Sequence, residues 1–116
     1  MPKGSNLTQE QERICTRFGS VHEPPDPEAK VGIALQTLGR WPLNALRQPA
    51  VGDTCGWYLW AGDISEDPAF FQPLHVKHLE VRCPAIVPYL ALTAGWRVQL
   101  APGHEDVWND DALLDV

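Results

Sequence analysis

Two histidines three residues apart, His75 and His78, are the first residues whose spacing suggests chemistry, because one helix can direct both imidazoles toward a common metal ion. Zinc needs a third protein ligand, and Cys83 and His104 are the candidates by residue type. Cys83 lies about 80° further round such a helix, and Arg82 lies between the imidazoles and repels a cation. We therefore interpret the two histidines as hydrogen-bonding residues and predict neither a metal nor another cofactor. A metal-dependent enzyme using His75 and His78 is the third hypothesis.

Nucleophilic catalysis has less support in the sequence than a metal site. The sequence contains three cysteines, no C-x-x-C spacing and no Gly-x-Ser-x-Gly elbow. Cys15 falls on the apolar side of a predicted helix, whereas Cys55, in the turn before a tryptophan-rich strand, is expected to be an accessible thiol. The loop at 52–56 is too short and acidic to hold a phosphate. We predict that the protein is not an enzyme.

Five tryptophans are many for 116 residues, and tryptophan is favoured both in cores and at binding hot spots. Trp57 and Trp96 lie in strand patterns that predict burial. Trp60 and Trp108 adjoin acidic loops, which predicts partial exposure beside carboxylates. Such a surface binds Lys or Arg side chains, or stacks a sugar ring.

The formal net charge of −6 is concentrated in the second half of the chain, where residues 61–116 contain three basic and nine acidic side chains. This surface repels phosphate backbones, so we predict no nucleic-acid partner. It attracts a basic protein. The simpler interpretation is that the acidic excess keeps a small domain soluble.

The chain begins with a predicted helix over residues 8–18, because Thr8 and Gln11 have capping-box spacing and the apolar residues then share one face. A proline-rich connector at 23–27 follows. Alternating apolar residues predict a strand over 31–37. Residues 39–56 are predicted to be mainly loop, with a short extended piece around 45–47 as the alternative.

Two further strands are predicted over 56–61 and 95–100, the first apolar on both sides and hence central, and 106–108 is a candidate edge strand. Residues 74–83 fit both a helix and a strand, and we favour the helix because prolines can start and stop it. Pro88 distorts the helical segment that continues to 91.

These elements predict an α+β fold in a single domain over residues 1–116, with residues 1–7 flexible. A small antiparallel sheet is flanked by the N-terminal helix and by a short helical segment at about 74–91. No stretch approaches the roughly 20 apolar residues that span a bilayer, and residues 1–15 have no apolar signal region. We expect a cytoplasmic protein with no membrane partner.

Several motifs resemble the thirty-third immunity family of bacterial polymorphic toxin systems, or its "like" branch, over about residues 8–114. The segments that carry the resemblance are Leu46–Pro49, Gly52–Thr54, Gly56–Gly62, Asp67–Leu79, Cys83–Pro84, Tyr89–Leu90, Gly95–Arg97, Glu105–Trp108 and Leu113–Leu114. The resemblance implies a non-enzymatic α+β domain that binds and neutralises a cognate toxin. Pro88 departs from the helix-compatible residue expected there.

Charge and resemblance together suggest that the protein occludes a basic toxin, because an acidic partner associates fast with a positive cleft and masks it. The predicted partner-binding residues are Trp60, Asp63, Glu66, Asp67, Glu105, Asp106 and Trp108. The alternative is a small-ligand or carbohydrate-binding module that uses exposed tryptophans. The sequence does not specify the oligomeric state.

Overall fold

The computed structural model describes residues 3–114 of the chain, which form a mixed β-sheet with helical segments packed against it. The strands are β1 (Lys30–Ile33), β2 (Leu43–Arg47), β3 (Thr54–Ala61), β4 (Gln72–His75), β5 (Trp96–Ala101) and β6 (His104–Asn109). In this described part the six strands have the order β4-β1-β3-β2-β5-β6. Among the five strand pairs within residues 3–114, β1 with β3 is parallel and the other four are antiparallel. The α+β class is confirmed, but the sheet is mixed and larger than the small antiparallel sheet predicted.

The main core lies on one side of the sheet, which we call the covered face. Trp57 and Leu59 of β3 are fully buried there, and Val98 of β5 is 1% exposed. They pack against Cys15 of the first helix and Ile86 of a later helical segment. The central position predicted for the tryptophan strand is confirmed, because β3 is hydrogen-bonded to β1 on one side and β2 on the other.

The N-terminal helix α1 (Lys3–Phe18) is longer than the predicted 8–18. The Gln11 side chain does not close a capping box but donates a 2.9 Å hydrogen bond to the Val87 carbonyl, which ties α1 to the opposite helical segment. The predicted buried face is confirmed, and the helix ends at Gly19, whose φ is 87°. Of residues 1–7, for which we predicted flexibility, 1 and 2 lie outside the described residues and 3–7 are helical.

The strand predicted over 31–37 ends at Ile33, and residues 35–37 form a 3-10 turn. The strand ends there because the buried Thr37 hydroxyl makes two hydrogen bonds. Thr37 Oγ1 donates to the Ala34 carbonyl at 2.7 Å and accepts from the Ala61 amide at 2.9 Å. This pair of bonds folds the chain back against the end of β3, which an extended strand could not do.

The helix predicted at about 74–91 is broken into short pieces. Leu74 and His75 belong to β4, and residues 76–78 are 3-10. A single α-helical turn, α2 (Leu79–Arg82), precedes a 3-10 segment at Pro84–Tyr89 that contains Pro88. A regular α-helix would bring the Pro88 ring against the carbonyl of residue 84, so the looser winding follows from the sequence.

A buried arginine joins the sheet to the connectors. Arg47 of β2 is 5% exposed, and its guanidinium lies 5.8 Å from the Trp57 ring centre. Nε donates to the Cys55 carbonyl at 3.1 Å. One terminal nitrogen donates to the carbonyls of Glu23 at 2.8 Å, Leu92 at 2.8 Å and Leu90 at 3.3 Å.

Candidate functional site

We call the side of the sheet opposite the main core the open face. Strand alternation places Trp60 on this face, in one cross-strand row with Asn44, Gln99 and Asp106. The next row contains Tyr58, Leu46, Arg97 and Trp108. The predicted alternation of β5, with Arg97 and Gln99 facing away from the core, is confirmed.

A loop over residues 62–71 covers one half of the open face. Phe70, 7% exposed, packs with Trp60 and Ala34 in a second, smaller hydrophobic cluster. Phe71 meets the Trp60 and Tyr58 rings edge-on, with centroids 6.0 and 5.3 Å away. Trp60 is therefore 8% exposed rather than partly exposed as predicted. Beyond this loop, Asn44, Leu46, Arg97 and Gln99 of β2 and β5 are half-buried, whereas Asp106 and Trp108 of β6 are exposed.

A cavity of about 570 Å³ opens where this loop leaves β3. Its walls include Trp41, which is 53% exposed, together with Arg40, Asp63 and the buried Trp60. Trp41 is not among the predicted binding residues, because it lies in a Gly- and Pro-rich segment without acidic neighbours. Its large exposed indole is the kind of side chain that anchors binding partners.

The floor of the cavity is a fixed polar strip. The Asn44 side chain donates to the carbonyls of Pro42 and Gly62 at 3.2 and 3.3 Å, and its oxygen accepts from Gln99 at 3.1 Å. The Gln99 oxygen lies 3.3 Å from a ring nitrogen of His104. These bonds hold the polar groups in place before any partner arrives, which lowers the entropic cost of binding.

The predicted partner-binding residues divide between the two faces. Asp106 and Trp108, the latter 37% exposed, lie on the open face, and Asp63 lines the cavity. Glu66 and Asp67 are exposed near the middle of the covering loop. Among the described residues, Asp63, Glu66 and Asp106 have no cationic partner within ion-pair distance.

Glu105 lies on the covered face. Its carboxylate pairs with Arg17 of α1 at 2.9 Å and accepts a hydrogen bond from the Tyr89 hydroxyl. The pKa of Tyr89 is raised, first by desolvation and second by this hydrogen bond to Glu105. Neighbouring residues of a strand point to opposite faces, so Glu105 and Asp106 cannot belong to one surface patch. Glu105 joins β6 to α1.

A sequence model of the Imm33-like domain matches residues 10–110 of the chain. The chain belongs to the Imm33-like domain family. The motif resemblance is thereby confirmed, and membership of an immunity family implies a toxin as partner and a non-catalytic role. No curated protein and no solved structure is significantly similar to the chain. Within residues 3–114, no helix is both long and apolar enough to cross a membrane.

The thiols and histidines considered above for catalysis lie apart from one another in this Imm33-like domain. All three cysteines lie in the described part, all are buried, and desolvation raises the pKa of each thiol, so the accessibility predicted for Cys55 is wrong. The His75 and His78 ring centres are 5.8 Å apart. Cys83 is in the core and His104 is on the far edge strand. The described residues contain no group of three or more metal-binding side chains that could hold an ion.

Proposed function

We propose that this Imm33-like protein is an immunity protein that binds a cognate bacterial toxin and occludes it without catalysis. The observation that carries the proposal is the exposed surface made by the cavity and the outward side chains of β6. Trp41 lines the cavity together with Asp63, and Trp108 lies two residues from Asp106 on β6. A flat strand surface with aromatic anchors and fixed polar groups suits a protein partner.

The charge of this surface indicates a basic toxin. Asp63 and Asp106 lie at the cavity and on the outer strand, and Glu66 and Asp67 extend the negative region along the covering loop. Opposite charges on two partners accelerate association and fix the orientation of docking. Glu105 contributes indirectly, because its bonds to Arg17 and Tyr89 hold β6 against α1.

The toxin and its immunity protein would meet in the cytoplasm of the producing cell. Three cysteines without a disulfide suit a reducing compartment.

Charge reversal tests the proposed surface. We expect Asp63→Lys combined with Asp106→Lys to weaken binding of the cognate toxin domain by about tenfold or more, with a slower association rate. The matched control is Glu10→Lys with Glu12→Lys, which makes the same change in net charge on exposed positions of α1. Surface plasmon resonance at several salt concentrations measures both rates.

The outcome that contradicts the proposal is equal weakening by both pairs of substitutions, since net charge alone would then explain the effect. Unchanged affinity in both would also refute it. Protection of cells that co-express the toxin provides the functional readout, and protection must follow affinity across the variants.

The cavity supports a second candidate, a site for a small polar ligand such as a sugar. Trp41 offers a face for stacking, and Asn44 and Gln99 offer fixed hydrogen-bonding groups. Saturable quenching of tryptophan fluorescence by a simple sugar, abolished in Trp41→Ala, would favour this function. Absence of quenching at millimolar sugar would exclude simple sugars as ligands.

A further inference from the structure

The two edges of the sheet differ in how well they are protected against pairing. β4 has four residues and contains Pro73, which cannot donate a backbone hydrogen bond. β6 has six residues, pairs with β5 without a bulge and contains no proline, glycine or lysine. Five of its residues are exposed and Val107 is half-buried. A straight, exposed edge of this kind is a template for another strand.

The backbone groups that β6 leaves free follow from the ladder. The Asp110 amide donates to the Gly95 carbonyl at 2.7 Å, so the pair 95 and 110 is hydrogen-bonded. Hydrogen-bonded pairs alternate along an antiparallel ladder. His104, Asp106 and Trp108 therefore bond to β5, whereas the backbone groups of Glu105, Val107 and Asn109 point outward.

We propose that β6 pairs antiparallel with β6 of a second copy, about a two-fold axis through Val107, and joins the two sheets edge to edge. In this register Val107 faces Val107 and Glu105 faces Asn109, so all the outward backbone groups find partners. Asp106 faces Trp108 of the second copy. The contact is isologous, as expected for a closed dimer.

Charge selects this register among those centred on the strand. An axis through Asp106 sets that carboxylate against its own copy, and an axis through Trp108 sets Asp106 against Asp110. Like charges directly opposite each other destabilise a pair of strands. The axis through Val107 opposes no two carboxylates. The two copies still repel through a net charge of −6 each, so salt should strengthen the dimer.

Sedimentation equilibrium of the full chain tests the dimer without any toxin, so its outcome does not depend on the proposed function. We expect reversible dimerisation between micromolar and about 1 mM chain, strengthened by salt. Val107→Pro removes the central amide from both copies and should weaken the dimer about tenfold or more. The matched control Val107→Ala keeps that amide and should dimerise within about threefold of the natural chain. A monomer throughout this range refutes the proposal.

A cysteine pair tests the register even where Val107→Pro fails to fold. Positions 106 and 108 of opposed copies lie about 4.5 Å apart between Cα atoms, within disulfide range. Asp106→Cys with Trp108→Cys should therefore form a covalent dimer on mild oxidation. The single variant Asp106→Cys has its partner thiol on the diagonal, about 7–8 Å away, and should not. Equal cross-linking of both variants, or of neither, overturns the register.

Discussion

Replacement of Arg47 by methionine should destabilise the whole domain rather than one strand. The guanidinium donates four hydrogen bonds to carbonyls of β3, the 23–27 connector and the segment after residue 89. Methionine fills similar space but leaves these carbonyls without the donor. A buried carbonyl that loses its hydrogen-bond donor costs about 1–3 kcal/mol, so we expect a total loss of about 3–5 kcal/mol, a large share of the roughly 5–15 kcal/mol that stabilises a domain.

This loss should lower the melting temperature by about 12–20 °C, taking roughly 4 °C per kcal/mol for a domain of this size. Chemical denaturation followed by tryptophan fluorescence measures the free energy of unfolding directly. The control Arg13→Met changes an exposed arginine on α1 and should alter it by less than about 0.5 kcal/mol. A loss below about 1 kcal/mol for Arg47→Met would refute the assigned role, because hydrophobic contact would then replace the network.

Two further predictions concern backbone and pH. Gly56→Ala should lower the free energy of unfolding by about 3 kcal/mol or more, because the new Cβ would lie 1.8 Å from the Gln48 carbonyl oxygen at a φ of +95°. The control Gly19→Ala, at φ +87° with open space around it, should lower it by about 1 kcal/mol. Equal losses in a denaturation assay would contradict the steric argument. Burial raises the pKa of the three thiols above 9.0 and that of Tyr89 above its ordinary 10.0. The unfolded chain therefore releases these protons at lower pH than the folded chain does. The stability contributed by these groups is present below pH 9 and should be lost as the pH rises further. Melting temperatures from pH 7 to 10.5 should show this decline, reduced when all three cysteines are alanine; an unchanged decline in that variant would contradict the thiol contribution.

Local periodicity predicted the parts of the fold that local contacts determine. The buried face of α1, the alternation of β5 and the central strand β3 were all readable in this way. The parallel pairing of β1 with β3 was not, because it depends on partners distant in the sequence. β4 was mistaken for helix because Leu74 and His75 fit both periods, and its pairing with β1 decides the conformation.

The candidate surface shows the same division. Acidic residues beside tryptophans pointed to Asp63, Asp106 and Trp108, which the structure places at the cavity or on the open face. Trp41 was missed because only folding brings it near Asp63. The placement of Glu105 on the other face was available from strand alternation alone, since adjacent residues of one strand point in opposite directions.

For the toxin-binding role proposed above, the covering loop has an evolutionary consequence. Phe70 and Phe71 pack the loop against the aromatic cluster, while positions 63–69 are exposed. Substitutions at those positions can therefore accumulate without eroding the scaffold, and recognition can diversify while thermodynamic stability is retained. A library randomised over 63–69 would exploit the same freedom to redirect the protein toward a new target.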